Sequence, residues 1–145
     1  SEKLFGLFTH KILKRDSILL RGFDEQFTVP VSRHTEVRRH DIEKVDELDM
    51  LSESDESGLY IVRDKSTRRL YVFNHSEYDA FTLKREYERD LEKNLPISKP
   101  RNYFPNDDTS QNPILCWRAH SNLLYNNWLN YYVYQSTPYD INQID

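Results

Sequence analysis

At residues 70–80 the chain reads LYVFNHSEYDA, and within this stretch a strand pattern gives way to a helical one. Residues 70–73 form a short apolar run typical of a strand, and residues 80–94 have the periodicity of an amphipathic helix. In open α/β sheets, ligand-binding and catalytic groups gather at the carboxyl ends of strands. We therefore expect an α/β fold whose chemistry is concentrated at this junction.

The segments around the junction predict further strands and one more long helix. Residues 59–62 are an unbroken apolar run, and a polar turn separates them from residues 70–73, which predicts an antiparallel hairpin. Pro30 interrupts residues 27–31, so that stretch is expected at a sheet edge or a strand end. Other strands are predicted at residues 4–13 and 48–52, and a helix rich in aromatic residues at 117–135.

The helix predicted at residues 80–94 has one apolar face. Asp79 is placed to cap it and Pro96 to end it. Spacings of three and four residues place four side chains on the buried face: Ala80, Leu83, Tyr87 and Leu91. Charges expected in solvent are Arg85, Glu86 and Glu88.

Composition limits the function classes. The 145 residues, treated as a single domain 1–145 or part of a larger one, are 37% hydrophobic and 30% charged, with a net charge of −4. A nucleic-acid or anionic-membrane binder usually has a basic excess, and a membrane span needs about 20 apolar residues, so we expect neither partner. The single cysteine, Cys116, favours a reducing compartment, and we expect a cytoplasmic protein.

His75 and Glu77 are the first candidate site residues. In an extended backbone, residues two apart point the same way, so Glu77 can accept a hydrogen bond from one ring nitrogen of His75. That contact fixes the tautomer and raises the basicity of the other nitrogen, as a general base requires. A surface pair without function has the same spacing by chance. A metal site needs at least one further ligand. None of the other histidines has the spacing of a metal ligand: His10, His34, His40 and His120.

Three other side chains have two interpretations each. At about 100° per residue Arg89 falls nearly opposite the apolar face, so it is either a solvent charge or a guanidinium that holds a substrate carboxylate. Ser32 follows the Pro30 strand and either contacts a ligand or forms a turn. A helix start lowers a thiol pKa, but no tight Gly-flanked turn precedes Cys116, so we expect it buried and inert.

The chain resembles the carboxyl-terminal half of the homoserine O-acyltransferases, the homoserine O-succinyltransferase/acetyltransferase family of methionine biosynthesis, over essentially its whole length. The likeness rests on KLFG (3–6), RGFD (21–24), SR with TEV (32–33, 35–37), HSEYD (75–79), EYERD (86–90), NYFP (102–105) and, most strongly, residues 117–135 with TPYD (137–140).

The resemblance implies a class I glutamine-amidotransferase-like three-layer α/β sandwich, of which this chain is the second half. It implies ping-pong transfer of an acyl group from acyl-CoA to L-homoserine through a cysteine thioester, with no other cofactor and no metal. His75 matches the general base of the family and Glu77 its orienting carboxylate. Arg89, Ser32 and Lys3 match substrate-binding positions. Acetyl and succinyl donors both stay open.

Departures from the family pattern lie close to the site. Asn74 stands where Gly is usual, Ser76 where Pro is frequent, and His34 where Tyr is usual. Because Asn tolerates left-handed backbone, Asn74 is expected to keep the turn that Gly makes. Cys116 matches no catalytic position of the family, and the nucleophilic cysteine is expected upstream of Ser1.

Two protein partners are expected. The upstream position of the nucleophile implies the N-terminal half of the same enzyme, and the aromatic last helix suggests a second copy in a homodimer. Two alternatives stay open: a glutamine amidohydrolase of the same fold, and a non-catalytic fragment or interaction domain.

Overall fold

A computed structural model describes residues 3–135, so the family-like segment at 137–140 lies outside the described residues. Its sheet has the strand order β2-β1-β3-β4-β5, and every neighbouring pair is antiparallel. The strands are β1 (Leu4–Ile12), β2 (Gln26–Arg33), β3 (Leu48–Ser54), β4 (Gly58–Asp64) and β5 (Leu70–Val72). The expected α/β class, the β4–β5 hairpin and the edge position of β2 are confirmed. The sheet between residues 3 and 135 is antiparallel, so the gathering of functional groups at the carboxyl ends of strands in open α/β sheets does not apply to this part of the chain.

The sheet curls until its two ends approach each other. β1 and β3 pair only at Lys11↔Glu53 and Ile12↔Ser52, so little backbone pairing holds the middle of the sheet flat. Beyond β5, the backbone N–H of His75 donates a 2.9 Å hydrogen bond to the carbonyl of Pro30 in β2, at the other end of the strand order. The curl therefore places the segment after β5 beside β2.

Helices complete the described fold. They are α1 (Arg39–Ile42), α2 (Thr82–Glu92) and α3 (Arg118–Asn127), and short 3₁₀ turns lie at Ile18–Leu20 and Pro105–Asp107. The predicted last helix is confirmed in extent, but from Trp128 to Tyr134 it widens to π-helical turns, in which the N–H of Gln135 reaches the carbonyl of Asn130. None of the helices in residues 3–135 combines the length and apolarity needed to cross a membrane.

Two apolar cores form, one of them containing Leu124 of α3 and the other Leu83 of α2. In β1, Phe5 and Leu7 join the α2 core, and Ile12, of opposite strand parity, packs against the α3 core. The two helices are thus packed against opposite faces of that strand, which fixes α2 close to β1 and β2.

Helix α2 differs from its prediction at both ends. It begins at Thr82 with Phe81 as N-cap, and Asp79 accepts hydrogen bonds from the Phe81 N–H (2.8 Å) and the Thr82 hydroxyl (3.1 Å) in the preceding turn. Leu91 was predicted to be buried but is 47% exposed, whereas Asp90 is only 7% exposed. Near the end of α2, Asp90 and not Leu91 therefore faces the interior, because positively charged side chains of this chain pair with its carboxylate.

Residues 99–113 pack as an irregular arm against β1. The N–H of Arg101 donates to the carbonyl of Phe5 at 2.9 Å, and the N–H of Leu7 donates to the carbonyl of Arg101 at 2.8 Å. A Cβ on Gly6 would lie 2.4 Å from the backbone nitrogen of Arg101, and the φ of Gly6 is +142°, so the contact requires glycine. Gly6 thus lets the arm pack directly against β1.

Candidate acid–base site

His75 and Glu77 form a hydrogen-bonded pair. Nδ1 of His75 lies 2.8 Å from Oε1 of Glu77. A carboxylate only accepts, so Nδ1 carries the proton and Nε2 has a lone pair available for a proton. The contact forms across a turn, in which the Tyr78 N–H donates to the His75 carbonyl at 3.3 Å, and does not need the extended backbone considered for it from the sequence.

The imidazole ring of His75 is held in place from two sides. The Tyr78 ring stacks on it with centroids 4.4 Å apart and planes 10° from parallel. The backbone of His75 is tied to Pro30 of β2. With the ring plane and the backbone both fixed, the direction of Nε2 is set by the fold.

Glu86 joins the histidine region to two of the predicted substrate-binding residues. Oε1 accepts a 2.9 Å hydrogen bond from the Tyr78 hydroxyl, and Oε2 accepts from the Ser32 hydroxyl at 2.6 Å and from Nζ of Lys3 at 3.1 Å. Burial alone would raise the pKa of Glu86, but the hydrogen bonds of its three donors outweigh that effect and leave its pKa lowered. Glu86 was predicted to be a solvent charge, and that prediction was wrong. Ser32 lies within β2, so it forms no turn.

A second carboxylate links this cluster to Arg89. Nζ of Lys3 lies 3.6 Å from Asp90, whose Oδ1 accepts from Nε of Arg89 at 2.8 Å. The Arg89 side chain is 53% exposed, as the helix arithmetic predicted. The hydrogen bond that Arg89 donates to Asp90 raises the pKa of Arg89. We call the set of Lys3, Ser32, Tyr78, Glu86, Arg89 and Asp90 the polar cluster; its two cations balance its two carboxylates.

A cleft of about 480 Å³ opens on the other side of His75 and Glu77. Asn74 also lines it, and its apolar walls are Leu19, Leu70, Val72, Leu124, Tyr125 and Trp128. Val72 and Trp128 are 47% and 42% exposed, so much of this wall is open. The histidine–carboxylate pair thus lies between an apolar cleft and the polar cluster.

Cys116 does not join this arrangement. It is exposed, so the prediction that it is buried was wrong. Partial desolvation of its thiol raises its pKa, which disfavours the thiolate that a nucleophile needs. Within residues 3–135, no group of three or more histidine, cysteine or acidic side chains is arranged to hold a metal ion.

Asn74 behaves differently from its prediction. Positive φ among the described non-glycine residues occurs at Asn94, Asn102, Asn106 and Asp107, so Asn74 does not take the left-handed turn expected of it. Its side chain is buried instead, and Nδ2 lies 2.9 Å from Nε2 of His10. The sequence predicted neither this contact nor the buried hydrogen bonds of Glu86, because the residues that make them lie far apart along the chain.

A histidine with a hydrogen-bonded carboxylate, beside a cleft, is the arrangement of acid–base sites that activate a nucleophile or an acceptor hydroxyl. A family model described as homoserine O-succinyltransferase matches residues 1–139 of the chain. The chain belongs to the homoserine O-succinyltransferase family.

Individual relatives agree with this assignment. The chain is 59% identical over 143 residues to homoserine O-acetyltransferase of Acetivibrio thermocellus, covering 99% of this chain and 47% of that protein. Identity to the homoserine O-acetyltransferase of Brevibacillus brevis is 59% over 141 residues, covering 97% and 46%. For the protein of the same name from Bacteroides thetaiotaomicron it is 54% over 144 residues, covering 99% and 47%. The chain therefore spans about half the length of the curated relatives it matches.

Proposed function

We propose that the intact protein carrying this chain transfers an acyl group from acyl-CoA to the hydroxyl of L-homoserine, as a step of methionine biosynthesis. Membership of the family supports the acceptor and the reaction class. The observation that carries the proposal is the 2.8 Å contact between His75 and Glu77, because it leaves Nε2 of the imidazole ready to take a proton.

His75 acts twice in this proposal. It first takes the proton of a cysteine thiol, whose thiolate attacks the thioester carbonyl of acyl-CoA, and it returns that proton to the departing CoA thiolate. It then takes the proton of the homoserine hydroxyl, whose oxygen attacks the enzyme thioester and forms the acylated amino acid, and it returns that proton to the departing cysteine thiolate. Glu77 holds the ring in one tautomer and stabilises the imidazolium formed in each step.

The polar cluster binds the acceptor. Arg89 is exposed and offers a planar guanidinium that suits the carboxylate of an amino acid. Ser32 and Lys3 reach the same region through Glu86, which holds both by hydrogen bonds. Because the charges of the cluster are already balanced, a zwitterionic amino acid binds without leaving an unpaired charge in the site.

The part of the protein outside these 145 residues supplies the nucleophile and covers the apolar cleft. The relatives are about twice as long as this chain, so we propose that the corresponding other half of this protein covers the cleft. The cleft has an open apolar wall at Val72 and Trp128 and opens directly beside the base. We propose a glutamine-amidotransferase-like three-layer fold for the two halves together and a cytoplasmic location. A homodimer through the aromatic helix stays a separate proposal.

The test is an assay of the intact protein for CoA released from acetyl-CoA and from succinyl-CoA, with and without L-homoserine. We expect homoserine-dependent release with one of the two donors, and its loss in His75→Gln. His40→Gln is the matched control, because the His40 side chain is 57% exposed and pairs with its neighbour Asp41. Ammonia release from glutamine without any need for CoA would replace this proposal with an amidohydrolase.

A further inference from the structure

His10 is a buried histidine with three polar contacts. It is 0% exposed, and its Nδ1 lies 2.9 Å from the carbonyl oxygen of Phe8. A carbonyl only accepts, so Nδ1 carries the proton and Nε2 must accept. Nε2 faces two donors, Nδ2 of Asn74 at 2.9 Å and the Ser57 hydroxyl at 3.3 Å.

His10 stays neutral at physiological pH. Desolvation lowers its pKa to about 4, opposed by the hydrogen bond to the Phe8 carbonyl and helped by the positive charge of Arg33. The Tyr60 ring lies edge-on with centroids 5.0 Å apart and holds the imidazole in place. Nε2 is therefore a fixed acceptor.

The acceptor on His10 fixes the side-chain amide of Asn74. Asn74 is 3% exposed, and its Nδ2 must face His10, because the opposite orientation would set two lone pairs against each other. Its Oδ1 is buried without a partner among the described residues, which lowers the stability of the folded state. The contact with His10 keeps the amide in this orientation nevertheless.

The residue on the other side of His75 is anchored as well. The Ser76 hydroxyl bonds the hydroxyl of Tyr60, and the Ser76 carbonyl accepts a 2.6 Å hydrogen bond from Ser121 of α3. His75 is thus the outward-pointing residue between two buried, hydrogen-bonded neighbours.

We propose that His10 is a positioning residue for His75, acting through Asn74. His10 touches no reacting atom; it sets the backbone from which His75 projects toward Glu77. The inference rests on the proposed role of His75 as general base and adds to it a buried residue on β1 that belongs to no motif of the site.

The kinetic test uses His10→Phe in the intact protein. Phenylalanine keeps the ring that packs against Tyr60 but offers Asn74 no acceptor. We expect kcat to fall about 10- to 100-fold, the effect of a misplaced catalytic group, with the KM for homoserine within about twofold of the wild type. Asn74→Ala breaks the same hydrogen bond from the other side and should give the same result, including where His10→Phe fails to fold.

Two further variants separate positioning from stability. His10→Gln offers a side-chain oxygen to Asn74 and should restore part of kcat. Ser57→Ala removes only the longer contact to His10 and should retain kcat within about twofold, since the bond between His10 and Asn74 remains.

A second readout needs no activity. In ¹⁵N-histidine NMR spectra of the intact protein, the protonated Nδ1 of His75 should be sharp in the wild type and in Ser57→Ala, and broadened or shifted in His10→Phe and Asn74→Ala. Unchanged kcat and unchanged His75 signals in those two variants, with only a lowered melting temperature, would overturn the proposal. If the wild type transfers no acyl group, the proposed function fails, and the NMR comparison still decides whether His10 positions His75.

Discussion

The Ser32 hydroxyl donates a 2.6 Å hydrogen bond to Oε2 of Glu86, although 54 residues separate the two along the chain. The contact joins β2 to α2 beside the histidine pair. Glu86 receives two more donors, Lys3 and Tyr78, and Tyr78 stacks on the ring of His75. One carboxylate therefore connects His75, the proposed general base, to the residues proposed to bind the acceptor.

Replacing Glu86 should damage both stability and acceptor binding. In Glu86→Gln the amide can accept through only one oxygen, so at least one of three donors loses its partner. We expect a loss of about 1–3 kcal/mol in the free energy of unfolding and a rise of about tenfold or more in the KM for homoserine. Urea unfolding and steady-state kinetics measure the two effects.

Glu88→Gln is the control for Glu86, because Glu88 lies on the same helix with its side chain 53% exposed. A surface substitution of that kind changes stability by about 0.5 kcal/mol or less. Equal effects of the two substitutions would contradict the special role of Glu86.

Glu77→Gln should lower kcat far more than it changes the KM for homoserine. Glutamine can hold the imidazole only weakly and cannot stabilise the imidazolium, so we expect a loss of about 100-fold or more in kcat. Steady-state kinetics at saturating acyl-CoA measures the split. Wild-type kcat in this variant would remove Glu77 from the mechanism.

Arg89→Lys should weaken acceptor binding while leaving the acylation half-reaction intact. Lysine keeps the charge but loses the planar pair of donors, so the KM for homoserine should rise about 10- to 100-fold. Arg85→Lys is the matched control, since Arg85 lies on the same helix and pairs with Asp79 at 2.7 Å. If both substitutions leave KM unchanged, Arg89 does not hold the substrate carboxylate.

Neutral, buried His10 should make the protein less stable in mild acid. Its pKa is lowered from 6.5 to about 4 in the folded state, so between these pH values the unfolded chain binds a proton that the folded chain does not. The free energy of unfolding should fall by up to about 3 kcal/mol as the pH falls through this window. Urea unfolding of wild type and His10→Phe measures it, because the variant lacks this contribution; curves that run parallel from pH 7 to pH 4 would contradict the assignment.

The local features of the fold and site were predictable from the sequence. The hairpin of β4 and β5 follows from apolar runs around a polar turn, and the contact of His75 with Glu77 follows from residues only two apart. The outward direction of Arg89 follows from helix geometry. Each depends on neighbours along the chain, which a single sequence displays.

The features that were missed depend on distant partners. Hydrophobic periodicity assigns carboxylates to solvent, so it does not place Glu86 or Asp90 inside. Both turn inward where Lys3, more than 80 residues earlier in the chain, pairs with them. Asn74 was expected to resemble the glycine it replaces. Its buried amide is instead explained by His10, 64 residues away.

If His75 serves a cysteine nucleophile outside these 145 residues, that cysteine carries the acyl group during turnover. Mass spectrometry of the intact protein and its peptides after incubation with acetyl-CoA or succinyl-CoA detects this intermediate. We expect one acyl adduct on a cysteine outside this chain, discharged by L-homoserine, unaffected by Cys116→Ser and absent when the 145-residue chain is treated alone. An adduct on Cys116, or a stable acyl adduct on the isolated chain, would contradict this role of His75.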